Sequence, residues 1–240
     1  MKHFILLTSY LLFQFFAHAQ QIKVLTNKEK ISLRGLSAVN DNIIWASGSS
    51  GQVAKSTNGG KNFEWITIKG YEQRDFRDIE AFDANTAIIM AVDSPAIILK
   101  TSNGGKTWTQ VFRDDTKGMF LDAMDFNNNG FGYVIGDPID NYMFKAFTNN
   151  YGDSWTVMQG VDNSINLNKG EAFFAASGTN IQITTNRKSE DFIFVTGGMQ
   201  SRLFIYNDFI PLNNIVQGKE TTGANSIAIN NKHNKIVLVG

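Results

Sequence analysis

Between residues 34 and 158 the chain alternates short apolar runs with polar clusters rich in Asn, Gly, Ser and Asp. The runs fall at 36–39, 43–46, 52–55 and 63–68; then at 79–82, 86–92, 96–100 and 108–112; then at 123–126, 131–135, 143–147 and 155–158. Runs this short, bounded by Gly and Asn, read as strands. Helical periodicity is nearly absent. The spacing therefore predicts groups of four short strands that recur about every 45 residues, which is the sequence mark of a propeller blade.

The repeat is sharpest between the third and fourth strand of each group. Ser56-Thr57-Asn58-Gly59-Gly60-Lys61-Asn62-Phe63 returns as Thr101-Ser102-Asn103-Gly104-Gly105-Lys106-Thr107-Trp108, and again as Thr148-Asn149-Asn150-Tyr151-Gly152-Asp153-Ser154-Trp155. Each copy has a hydroxyl, then Asn, then Gly, then an aromatic. The hydroxyl and the carboxamide can bind nearby backbone N–H groups. Gly supplies the positive φ that closes the turn. The aromatic begins the next strand and buries a large face. An eroded fourth copy is read at Thr184-Thr185-Asn186-Arg187-Lys188.

This eight-residue unit resembles the Asp-box, or BNR, repeat, with Asn where that repeat usually has Asp and with Phe63 in place of one Trp. Together with Gly35-Leu36-Ser37-Ala38, Trp45-Ala46-Ser47-Gly48 and Val111-Phe112, it resembles the propellers of the photosystem II stability and assembly factor type. The likeness is clear over about residues 22–160 and loose beyond. It implies an all-β propeller of four-stranded antiparallel blades and a scaffold or assembly role. More distantly it resembles sialidase propellers, which implies the competing reading of a secreted glycoside hydrolase. Fold likeness alone does not choose between them.

Blades are expected to begin near Arg34, Arg77, Leu121, Gly170 and Gly223, and the fifth has only two strands, at 226–229 and 235–239. Residues 22–25 look like a stray strand. The expectation is a fragment of a six- to eight-bladed ring; the alternative is five blades that close imperfectly.

The N-terminus changes the picture of where the chain works. Met1-Lys2 precedes an apolar stretch over 4–16 and the small-x-small site Ala17-His18-Ala19. This reads as a signal peptide over 1–19, with the propeller over 20–240. The expectation is a secreted or periplasmic protein that does not span a membrane after cleavage. Composition then removes chemistries. The chain has 22 basic and 22 acidic residues, so no general nucleic-acid surface is expected. It has no Cys, hence no disulfide, thiolate metal site or thiol nucleophile. Of three His, two lie in the signal, and one His makes neither a zinc site nor a Ser-His-Asp triad. Twenty-five Asn and 21 Gly fit the many turns. No metal and no cofactor is expected.

Candidate chemistry gathers at the starts of the first strands. Asp78, Asp122, Glu171 and Asn225 align there, opposite Gly35, with Arg34 and Arg77 one position earlier. These charges predict a mixed rim at a channel mouth: Arg34, Arg77, Asp78, Asp122 and Glu171. Either they bind a protein or peptide partner, with a glycan as another option, or they pair between blades and close the ring. A sialidase would need three arginines, for which Arg34, Arg77 and Arg202 are the candidates, and a glycosidase could pair Asp78 with Asp122. The run from Asp125 to Gly130 mimics the start of an EF-hand but has Gly136 at the twelfth position, so it is read as a turn. Trp45, Trp65, Trp108 and Trp155 are read as blade core.

Overall fold

A computed structural model describes residues 22–158, 165–175, 178–184, 192–205, 208–230 and 235–240. Its elements are strands: β1 (Leu33–Ala38), β2 (Ile44–Gly48), β3 (Gln52–Ser56), β4 (Glu64–Thr67), β5 (Phe76–Ala81), β6 (Ala87–Ala91), β7 (Ala96–Thr101), β8 (Thr109–Asp114), β9 (Leu121–Phe126), β10 (Gly132–Ile139), β11 (Tyr142–Thr148), β12 (Thr156–Val157), β13 (Glu171–Ala172), β14 (Ile181–Ile183), β15 (Phe192–Val195), β16 (Gly197–Gly198), β17 (Arg202–Ile205), β18 (Asp208–Pro211), β19 (Ser226–Asn230) and β20 (Lys235–Val239). Among the described residues no helix is long and apolar enough to cross a membrane.

The strands form four-stranded antiparallel meanders in the orders β1-β2-β3-β4, β5-β6-β7-β8, β9-β10-β11-β12 and β14-β15-β17-β18, followed by the pair β19-β20. The first strands β1, β5, β9, β14 and β19 stand side by side in chain order. Each sheet therefore packs face to face on the next, as blades do. The described residues do not show the fifth sheet meeting the first. The segment 22–28 is not a strand. It lies over the outside of the first sheet, where Trp65 Nε1 donates to Thr26 Oγ1 at 3.2 Å and Lys28 sits over the Trp65 ring. Trp65 is thus an edge residue and not blade core.

Four apolar clusters fill the four gaps between sheets. Along β6, Ala87, Ile89 and Ala91 face the first sheet, with Trp45, Val53, Phe76, Ile79 and Leu99. Ile88 and Met90 face the third, with Ile98, Leu121, Met124 and Val134. Period-two geometry sends alternate side chains to opposite faces. A middle strand buried on both faces must then be apolar throughout, as β6 is. Later gaps hold Ala123, Ile135, Ile181 and Phe194, then Ile193, Val195, Leu203 and Ile227.

The three turn repeats fold alike. Ser56 Oγ accepts from Gly60 N at 2.9 Å and donates to Asn58 Oδ1, which accepts from Asn62 N at 3.0 Å. Thr101 does the same for Gly105 N, with Asn103 Oδ1 accepting from Thr107 N. Thr148 serves Gly152 N, and Asn150 Oδ1 accepts from Ser154 N. Asn suffices in place of Asp because only an acceptor oxygen is needed there, while Nδ2 of Asn103 and Asn150 gains a hydroxyl partner. Gly60, Gly105 and Gly152 all have positive φ, and a Cβ at Gly105 or Gly152 would strike Ile66 or Ile88 of the preceding sheet. Trp108 then packs edge-on against Trp45, and Trp155 against Phe126.

The fourth unit departs from the pattern. Its first strand is split: β13 pairs with β16, β14 pairs with β15, and the described residues 173–175 and 178–180 between them are outside any strand. Residues 185–191 lie outside the described residues. The eroded turn copy read at Thr184 to Lys188 falls on them, apart from Thr184.

Candidate functional site

Antiparallel order gives the molecule two faces. First strands begin on a front face; the Asp-box turns lie on the back. At the front, β1, β5 and β9 each carry a β-bulge: Arg34, Arg77 and Asp122 are skipped in the registers against β2, β6 and β10. These three residues are therefore equivalent, and Asp78 aligns with Gly35 and Ala123. The sequence alignment set Asp122 opposite Asp78, one residue off, because it matched the two acidic side chains, whereas backbone pairing matches Asp122 with Arg77.

The acidic members of the expected rim are inside. Asp78 is 4% exposed; its carboxylate accepts from Ile79 N and from Met124 N of the next sheet, both at 2.8 Å. Burial pushes its pKa up to about 8, and those N–H groups oppose the shift only in part. A Cβ at Gly178 would sit 2.4 Å from this carboxylate, so the segment at Gly178, between β13 and β14, covers it. Asp122 is fully buried, and among the described residues neither carboxylate oxygen has a partner within hydrogen-bond geometry, although the backbone N–H groups of Asp137 and Ala175 lie close enough to favour its charged form. Burial, and then the neighbouring Asp137, raise its pKa well above the carboxylate range. Asp137 in turn accepts from Phe173 N, just after β13.

Glu171 is 1% exposed and pairs bidentately with Arg202, whose Nε donates at 2.8 Å. Thr196 Oγ1 also donates to Glu171, and the guanidinium stacks on Phe204 and Phe209. Arg202 is thereby consumed. The three arginines of a sialidase do not present themselves together, and neither Asp78 nor Asp122 is offered to a glycoside.

What remains outside is basic. Arg34 is exposed and forms no ion pair among the described residues. Arg77 is half-buried and held by Asp75 at 2.9 Å. Nearby, Arg74 donates to the carbonyls of Asp93 and Pro95. Among the described residues no group of three or more His, Cys, Asp or Glu is placed to hold a metal ion. The Asp125–Gly130 run is a turn: Asn127 Oδ1 accepts from Asn129 N and Phe131 N, while Asp125 is in β9.

Sequence reasoning missed a set of inter-sheet links from first-strand side chains. Ser37 Oγ accepts from Ala81 N, Asp78 from Met124 N, Asp125 from Ile183 N, and Gln182 from Ile229 N. Each side chain thus satisfies a backbone N–H on the next first strand. The signal available was a polar residue in an otherwise apolar inner strand. Asp125 is buried enough for its pKa to rise to about 6.

No family model matches the chain, and no curated protein matches it in sequence. Solved structures do. YCF48 from Cyanidioschyzon merolae is 14% identical with a TM-score of 0.57, over 90% of this chain and 66% of that one. A Dyadobacter fermentans protein of unknown function is 13% identical with a TM-score of 0.53, over 88% and 75%. YCF48 bound to D1 peptide is 15% identical with a TM-score of 0.48, over 88% and 76%. The chain thus spans about two thirds to three quarters of the length of these structures. Its fold is that of an Asp-box-type propeller resembling YCF48. At these identities the likeness speaks for the fold alone.

Proposed function

We propose that this chain is an exported, non-enzymatic propeller-type binding protein that holds an acidic protein or peptide segment on its front face. The sheets are blades of a closed ring in this reading, and residues 1–19 direct export. The observation that carries it is the bulge shared by adjacent inner strands. A bulge re-aims the extra side chain. Here it presents Arg34 and Arg77 on one face, while Asp78 and Glu171, which could have neutralised them, are turned inward into hydrogen bonds. Arg34, exposed and without an ion-pair partner among the described residues, is suited to a carboxylate, which it can grip bidentately, while Arg77 shares its guanidinium with Asp75.

The test is affinity capture from the protein's own exported fraction, with the Arg34→Ala/Arg77→Ala double variant beside the wild type. Loss of a specific, saltable partner in the variant supports the reading; retention of every partner sinks the front-face assignment. Hydrolysis of a fluorogenic sialoside by the purified chain would overturn the non-enzymatic part. N-terminal sequencing of the exported protein should begin at residue 20.

A further inference from the structure

The back face carries a cleft of about 840 Å³ between the second and third sheets, reaching the first at Ser37. Its most unusual wall residue is Tyr151. The first two turn repeats have Gly59 and Gly104 at this position, at φ 70° and 76°. The third holds a tyrosine at φ 55°. A bulky side chain in the left-handed region is rare and strained, and such strain gathers at functional sites. The ring lies over Gly130, where a Cβ would come within 2.3 Å of it, and meets Phe82 edge-on at 5.1 Å. It lines the cleft and stays 41% exposed.

The cleft offers hydrogen bonds but little net charge. Lys100 Nζ is already bound to Asp153 at 2.7 Å and to Tyr151 O at 2.8 Å. Glu80 lines the inner end with no hydrogen-bond or ion-pair partner among the described residues. Its burial first, and then Asp78 and Asp125 nearby, raise its pKa well above the carboxylate range, and its carboxyl group faces the cleft as a hydrogen-bonding partner. Backbone groups around the cleft are spent: Asn85 N and Thr86 N go to Asp83, Asn129 N and Phe131 N to Asn127. An extended peptide would find no open strand edge here. An anion would find the one lysine of the lining, Lys100, already matched by Asp153. A neutral ring bearing hydroxyls finds both an aromatic face and side-chain partners.

We propose that this cleft is a glycan-binding site, with Tyr151 as the stacking platform and Glu80 as a hydrogen-bonding partner of sugar hydroxyls. It is separate from the front-face arginines. The experiment is calorimetry and saturation-transfer NMR on the full chain with four neutral probes: cellohexaose, laminarihexaose, mannohexaose and chitohexaose. At least one is expected to bind, with saturation passing from irradiated aromatic protons of the protein to the sugar protons. Tyr151→Gly restores the residue of the other two repeats, so the fold should persist while binding falls about tenfold or more. Glu80→Gln should weaken binding less, because the amide keeps both a donor and an acceptor. If Tyr151→Gly fails to fold, Tyr151→Asn, which tolerates this φ, replaces it. No binding by any of the four probes, or binding unaffected by both Tyr151 variants, overturns the proposal.

Discussion

The first three sheets and the fourth unit solve the same packing problem by different means. In the first three, turn chemistry is local: a hydroxyl and an Asn close each back-face turn within eight residues, and the inner strand runs unbroken apart from one bulge. In the fourth, the inner strand is interrupted and the segment at Gly178 covers Asp78. An ion pair between residues 171 and 202 then ties the two ends of that unit together. The lesson is that a repeat can lose its local signature and keep its place in the stack, provided that long-range polar contacts replace the turn.

The sharpest way to break this comparison is Glu171→Ala. It leaves Arg202 buried without its counter-ion, which should cost about 3–5 kcal/mol. Chemical denaturation should show the loss, whereas Glu171→Met with Arg202→Met should recover most of it. Equal damage in single and double variants would show that the pair is incidental.

The next effect is on pH. Burial raises the pKa of folded Asp78 and Asp125 above the ordinary aspartate value of 3.8, to about 8 and about 6. Their contribution is fully present below the unfolded pKa and is lost as pH rises through the folded values. Stability should therefore fall by a few kcal/mol between about pH 4 and about pH 8. Asp78→Asn should flatten the upper half of that fall and Asp125→Asn the lower half, as read from denaturation midpoints. A wild-type midpoint that rises over this range would contradict the burial of Asp78 by the fourth unit.

Smaller still is Thr101→Val. It removes the acceptor for Gly105 N in the second turn, for an expected loss of about 1–3 kcal/mol. Thermal melts would register it, and a null result would mean that the turns are not what holds the first three sheets. Last comes Lys100→Met, which removes the link from the second sheet to the carbonyl of Tyr151. With Asp153 largely exposed, an effect of about 1 kcal/mol or less is expected.

Much of the fold was legible in the chain because its code is short-range. The runs at 87–91 and 96–99 are continuous and apolar because those strands are covered on both sides, and each turn declares itself through a hydroxyl, an Asn and a Gly. The site was legible in part. Arg34 and Arg77 were recognised as a pair, but Asp78, Asp122 and Glu171 were expected beside them at the surface. Nothing in their neighbours in sequence says that the segment at Gly178 will cover Asp78, or that Arg202 will reach Glu171. Tyr151 also escaped notice, since its strain shows only when φ is known.

The sequence by itself determined the strands, the blade-length repeat and the chemistry of each turn, because those depend on hydrogen bonds and side-chain alternation within a few residues. Only the tertiary structure decided which charges are inside. The free energy of an ionised group depends on what covers it and what lies across from it. For Asp78 these are Gly178 and Met124, far along the chain and near only once the sheets have stacked.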